Sequence, residues 1–297
     1  FPSTMVDRIV PSTTPKDIFN TAQKGFEDEW PIVTEGFSQW AAEDNFAGDM
    51  PDLKSVGAIV AKDVSAFELM KIRMLNGAHM ALGCVGKLAG YEYVHEAIVD
   101  PAIRKFIEGF MREAAATLKD LVGVDYNEYQ GELLKRLENP HMQDELVRLA
   151  RHGTQKLNGR VLETLKDDIA LGKEYGHLAF EVAAYIHYLK GHDLNGVPFD
   201  IIDEAAVNNE LQYLAQERDD NPGLVMAATG LFDASLLANK EFTSLVEEYS
   251  RMLKEHGMAC AIEKIENVQW MHDAAGQKIC TYGAAPTQTI KRGAPKP

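Results

Sequence analysis

Cysteine is scarce in this chain of 297 residues: Cys84, Cys260 and Cys280 are odd in number, far apart and without a CxxC pair. A disulfide framework and a cysteine-built zinc site are therefore not expected, and structural thiols are. The nine histidines are scattered, with no HExxH or similar ligand spacing, so the chain reads as metal-free. Basic residues are also in short supply. Lys and Arg number 30 against 45 Asp and Glu, a net charge of -15. Nucleic acid needs clustered Lys and Arg, and an anionic membrane would be repelled, so neither is expected as a partner. No apolar run approaches the roughly 18 residues that span a bilayer, and no basic-then-apolar leader opens the chain. Both point to the cytoplasm. A GxGxxG turn between strand and helix is missing too, so no dinucleotide-cradling loop can be assigned.

What is present centres on Phe67 to Leu82, FELMKIRMLNGAHMAL. Leu69, Met70, Ile72, Met74, Leu75, Ala78, Met80 and Leu82 are enough to bury a helix on most sides, yet Glu68, Lys71, Asn76, Gly77 and His79 are set into it. At about 100° per residue, Lys71 and His79 lie about 80° apart and Asn76 about 60° beyond His79, so the three share one broad face. Glu68 sits one turn before Lys71 on the same side. Asn and Gly are poor mid-helix residues, and local rules broken together tend to mark a site. Glycine would let a ligand approach the backbone. A lysine rising from apolar surroundings can act as a base, because burial disfavours its charged form. Asn offers an amide N–H to an alkoxide, and neutral His reads a hydroxyl. The set suits proton removal from an alcohol carbon that is being oxidised. A half-buried helix with a snorkelling lysine and a satisfied histidine is the plainer alternative on spacing alone.

KIRMLNGAH resembles the K-x-R-x-L-N-[GA]-x-H signature of the polyol-specific long-chain dehydrogenases, the mannitol 2-dehydrogenase and fructuronate reductase group. FPSTMVDRIVP, WPIVTEGFSQWAAEDNF, LAGYEYVHEAIVDP and ARHGTQKLNGR agree with the same family in the expected order, so the likeness runs from about Phe1 to Ile265. Gly36, His152 and Asn158 depart from its usual residues. The resemblance implies catalytic roles for Lys71 as general base, Asn76 as donor to the reacting oxygen and His79 as holder of a substrate hydroxyl. It also implies that Asp7, Arg148 and Lys156 line the polyol site. Glu68 is added on geometry alone, as a proton relay from Lys71 to solvent. NAD or NADP would be the cofactor, held mostly by a Rossmann domain expected before Phe1, so this chain would be the C-terminal catalytic domain, acting with its own N-terminal domain as a monomer or weak dimer.

The fold expected is mainly α, a multi-helical domain with a small β element near the N-terminus. Residues 1–15 read as an extended linker, 16–265 as the helical catalytic domain and 266–297 as a tail. Thr14 caps a short helix that starts at Pro15. Trp30 to Val33 and Val56 to Ala61 read as β, with Gly36 to Phe46 between them turning Phe37, Trp40 and Ala41 inward. Glu35 and Gln39 could reach the active site, but a solvated face is the plainer reading. Ser65 and Glu68 form a capping-box pattern. Gly83, Gly86 and Gly90 are expected to loosen the chain, with Tyr91, Tyr93 and His95 as packing residues. Asp100-Pro101 starts a helix whose inner stripe is Ile103, Phe106, Ile107, Phe110 and Met111. Met142 to His152 reads as a helix closed by Gly153, Tyr175 to Lys190 as a central helix, and Glu241 to His256 as an amphipathic one ended by Gly257. The reaction expected is oxidation of mannitol to fructose. Reduction of a hexuronate such as fructuronate is the alternative within the class, and a non-catalytic sugar- or protein-binding helical module the alternative outside it.

Overall fold

In the computed structural model, residues 1–121, 123–208, 210–218, 221–272 and 278–282 are described. Alternation of buried and exposed residues in Thr4–Asp7 makes β1, whose Met5 and Asp7 point inward. β1 pairs antiparallel with β2, Gln39–Glu43, in the register Met5 to Ala41, and β2 pairs in parallel with β3, Ile59–Ala61. The small β element is therefore present, but its members differ from those expected. Trp30 to Val33 forms no strand: Pro31 lacks an N–H, Trp30 N–H turns to Asp28, and Trp30 and Ile32 stay exposed. In β2 it is Ala41 and Ala42 that face inward, while Trp40 faces out and donates to Thr4 Oγ1 at 2.5 Å. The extended 1–15 segment is thus a sheet member as well as a connection.

The Pro15–Gln23 helix begins as expected, with Thr14 and Asp17 in a reciprocal capping box. At Ser65 the corresponding pattern is not used. Val64 occupies the cap position, Ser65 bonds back to Asp63, and Glu68 is left exposed. Pro101–Ala116 is capped by Asp100, and all five residues of its expected stripe are buried.

Burial is most complete in Gly176–Tyr188, where every residue is inside. This helix packs against the helix that carries Lys71, against Pro101–Ala116 and against Lys240–Glu266, which breaks at Gly257 (φ 79°) as expected and then continues. Gly83 and Gly86 do not loosen anything. Gly77–Leu88 runs straight through them, and a Cβ at Gly83 would stand 2.9 Å from Ala150 N. The glycines bring the Leu146–Ala150 helix close. That helix is shorter than expected and does not end on Gly153: His152 takes the left-handed conformation (φ 55°, ψ 38°), and Gly153 opens the next helix, Gly153–Leu157, where a Cβ would stand 2.8 Å from the Tyr185 ring. Val268–His272 and Lys278–Tyr282 pair as an antiparallel ladder; the rest of the expected tail lies outside the described residues.

Candidate active site

The helix from Ser65 to Leu88 changes pitch in its middle. Ser65–Met70 and Gly77–Leu88 are α-helical, while Lys71–Asn76 between them is a π turn in which Gly77 N–H reaches Ile72 O. Such turns are rare and recur at functional sites. At α-helical pitch Lys71 and Asn76 would point about 140° apart. A turn closed by i→i+5 bonds holds more residues and brings positions five apart nearer one face. A second π turn, Asn158–Leu162, packs on the first, and Arg160 Nη1 donates to the Asn76 carbonyl at 3.3 Å. Gly77 serves that packing rather than a ligand, since a Cβ there would stand 2.9 Å from Phe110 Cε1 and 3.1 Å from the Arg160 carbonyl oxygen.

Lys71 is half-buried, and its Nζ donates to the Val6 carbonyl, which ties the helix to β1. His79 lines a small cavity about two turns further on. The residue is half-buried, and the surrounding protein desolvates its ring. Burial first, then the charges of Arg148, Arg136, Arg160 and Lys156, push its pKa down to about 3. His79 is therefore neutral at any physiological pH and can donate or accept one hydrogen bond at each nitrogen.

Arg148 and Lys156 converge near His79, but both have protein partners. Arg148 forms a two-pronged pair with Asp144, Nε to Oδ1 at 2.5 Å. Lys156 Nζ donates to the Leu149 carbonyl at 3.2 Å, and burial followed by the charges of Arg160, Arg148 and Arg151 pushes its pKa down to about 8. Asp7 is fully buried and its carboxylate is spent: Arg136 binds it at 2.9 and 3.0 Å, and Tyr129 Oη donates at 3.3 Å. Arg136 also holds Glu35 at 2.8 and 2.9 Å and lies 4.0 Å from the centre of the Phe37 ring. Burial would lower the guanidinium's pKa, and the two carboxylates outweigh it and raise it. Glu35 is thus inside rather than on a solvated face. Glu68, exposed one turn before Lys71, stands on the open side of the helix.

Arg136, Tyr129, Asp144 and Arg160 were not singled out by sequence reasoning as site residues, and Glu35 was raised there only as an alternative to a solvated face. Arg136 had a signal: it falls between Leu133, Leu134 and Leu137 on the apolar stripe of Tyr126–Leu137, where a charge must find partners. Among the described residues no group of three or more His, Cys, Asp or Glu is placed to hold a metal ion, and no helix is long and apolar enough to cross a membrane.

A helical body that presents a lysine, an amide and a neutral imidazole from one π-interrupted helix matches a known family. Residues 63–253 match the mannitol dehydrogenase C-terminal domain, and residues 1–55 match the mannitol dehydrogenase Rossmann domain. The chain belongs to the mannitol dehydrogenase family. It is 36% identical to mannitol 2-dehydrogenase of Aspergillus fumigatus over 272 residues, 90% of this chain and 54% of that one. A mannitol dehydrogenase of Saccharomyces cerevisiae is 39% identical over 268 residues, 89% of this chain and 53% of that one. The ternary complex of Pseudomonas fluorescens mannitol 2-dehydrogenase with NAD and D-mannitol superposes with a TM-score of 0.80 at 33% identity, covering 89% of this chain and 54% of that one. D-sorbitol dehydrogenase in substrate-free form gives 0.77 at 30% identity, covering 88% and 54%. The chain spans about half the length of these relatives.

Proposed function

We propose that this chain forms the substrate-binding and proton-transfer half of an NAD(P)-dependent polyol dehydrogenase that interconverts D-mannitol and D-fructose. The observation that carries the reading is the single π-interrupted helix on which Lys71, Asn76 and a permanently neutral His79 are presented together. This donor set can take a proton and steady an oxygen, but it holds no hydride acceptor. A bound nicotinamide dinucleotide supplies that chemistry, and the segment that would meet it, residues 1–55, matches a Rossmann domain and touches Lys71 through Val6.

Lys71 takes the hydroxyl proton as the alcohol carbon is oxidised, and Asn76 donates to the oxygen on which charge develops. His79 holds a neighbouring hydroxyl without placing a second positive charge beside Lys71. Glu68, on the exposed side, passes the proton from Lys71 to solvent. Arg160, fixed to the Asn76 carbonyl, keeps the π turn in register. Asp7, Arg148 and Lys156 stand one layer back: Asp7 fixes Arg136 beside the cavity, and the two cations keep His79 neutral.

A hexuronate is the second reading, favoured by the cations gathered round His79. The pairing of Arg148 with Asp144 weighs against it, because a substrate carboxylate would compete with a bidentate internal one. The deciding measurement is initial rates of cofactor reduction by the full-length protein on mannitol, sorbitol, arabinitol and mannonate as pH rises, with Lys71→Ala beside the parent. Turnover of a neutral polyol with a basic limb, and a loss of about 10²–10⁴-fold in the variant, is the expected result. Turnover of mannonate alone would move the assignment to the hexuronate reading. Unchanged rates in Lys71→Ala, or no turnover of any of the four, would leave a non-catalytic binding module.

A further inference from the structure

The signature KIRMLNGAH holds one further charged residue, Arg73, which takes no part in the proton transfer. It lies inside the π turn, two residues after Lys71, and only 6% of its surface is exposed. Two residues turn by about 200° at α-helical pitch, so Lys71 and Arg73 leave the helix on opposite sides. Their partners agree with this. Lys71 Nζ reaches the Val6 carbonyl of β1, whereas Arg73 reaches into the helical body: Nη1 donates to Thr117 Oγ1 at 2.5 Å and Nη2 to Asp167 Oδ2 at 2.5 Å. Thr117 follows directly on Pro101–Ala116, and its own hydroxyl donates to the Ala114 carbonyl at 2.7 Å, which leaves it an acceptor for Arg73. Asp167 belongs to Glu163–Ala170, the helix that continues from the second π turn. One planar fork thus ties the first π turn to two helices, and the single ammonium of a lysine could not match that geometry.

Stability alone does not account for this cation. A buried ion pair is often no more stabilising than packed apolar side chains of the same volume. Here Arg73 Nε is also buried with no hydrogen-bond partner among the described residues, which adds a cost. Nor does the neighbouring Asp168 neutralise the charge: burial pushes its carboxyl up to about 8, so it is mostly protonated at neutral pH, and Asp167 is the counter-charge. What the fork supplies is placement. A π turn is a rare pitch, and this one is held from outside on the side away from Lys71.

We propose that Arg73 is a positioning residue for the reaction: through Thr117 and Asp167 it holds the π turn that carries Lys71, and so sets where the lysine meets the substrate hydroxyl. The inference rests on the polyol dehydrogenase reading above and adds to it the device that places the base. Arg73 itself, buried behind the turn, touches no substrate. Its effect is through distance, since a misplacement of about 1 Å in a reacting group can cost about 10²-fold in rate.

The test is the pH dependence of kcat and KM for mannitol in the full-length enzyme, with circular dichroism to show that each variant is folded. Arg73→Met keeps an unbranched stem but neither bond, Arg73→Lys keeps the charge and one bond, and Asp167→Ala removes the counter-charge from the other side. Arg73→Met is expected to lower kcat about 10–100-fold with KM within about threefold, because the base is displaced while the substrate still binds. The basic limb of kcat/KM is expected to move by about half a pH unit or more, since the solvation of Lys71 changes with its place. Arg73→Lys is expected to recover part of the rate. Arg73→Met combined with Asp167→Ala is expected to be within about twofold of Arg73→Met alone, as both break one tie. A folded Arg73→Met with parent kcat, a limb that does not move, or losses that multiply in the double variant would each overturn the role of Arg73, with parent turnover showing that the dehydrogenase reading survives. A parent that oxidises no polyol would instead remove that reading, and this inference with it. Should Arg73→Met not fold, Arg73→Lys and Asp167→Ala decide: parent kcat and an unmoved limb in both would overturn the role.

Discussion

The neutrality of His79 has consequences for stability as well as for binding. Its pKa is lowered from 6.5 to about 3 in the folded protein, so below pH 6.5 the unfolded chain takes up a proton that the folded chain refuses. The associated stability is fully present above pH 6.5 and is lost as pH falls toward about 3, by up to about 1.4 kcal/mol per pH unit. His79→Asn carries no such proton. Urea unfolding at pH 7 and pH 5 is expected to show the parent losing more stability than the variant on acidification. Equal losses would mean that the imidazole protonates in place. At this scale Lys71, Asn76 and His79 stand out in the sequence as polar residues on an apolar helix, which is what makes them candidates. The neutrality of His79 was not legible there, since Arg136, Arg148, Arg160 and Lys156 come from three other segments.

Among the elements, the helix that carries Lys71, Asn76 and His79 is set by what packs against it. Gly83 lets Leu146–Ala150 lie on Gly77–Leu88 at backbone distance, and a methyl there would meet Ala150 N, an atom that cannot swing aside. Gly83→Ala is therefore expected to destabilise by about 1–3 kcal/mol despite better helix propensity, read by urea unfolding. On the proposed function, KM for the polyol should rise as well, because Leu146–Ala150 carries Arg148. A neutral or stabilising result would show that the two helices slide apart freely. The existence of these helices was legible from apolar periodicity and from Asp100-Pro101, which starts Pro101–Ala116 as expected. The reading of Gly83 and Gly86 as loosening residues failed, because a glycine that serves a turn and one that serves a close helix contact look alike in one dimension.

For the whole molecule, Arg136 joins the N-terminal sheet region to the helical body. It binds Asp7 across 129 residues and Glu35 across 101, all three side chains being nearly inaccessible. Removing the cation leaves two carboxylates buried and unpaired. Arg136→Ala is expected to cost about 3–5 kcal/mol and to expose residues 1–62 to protease before the helical body is cut, whereas a conservative Arg136→Lys should lose the bidentate geometry and recover only part. Cleavage spread evenly over the chain would show that the cluster is not what holds the two parts together. The expected 1–15 linker is the place where sequence reasoning fell short at this scale: its prolines mark extension, but nothing local says that β1 will meet β2 some 35 residues on.

Amino-acid order alone determined the helical class, the small β element, the excess of acidic residues and, through five motifs in sequence, the family. Each rests on interactions within a few residues or on residue type, and these survive reduction to a string. The π pitch of Lys71–Asn76, the burial of Asp7 and Glu35 on Arg136, the uncharged state of His79 and the unpaired nitrogen of His95 were decided only by the tertiary structure. Their physical cause is desolvation and close packing between segments up to 129 residues apart, and no local pattern carries that information.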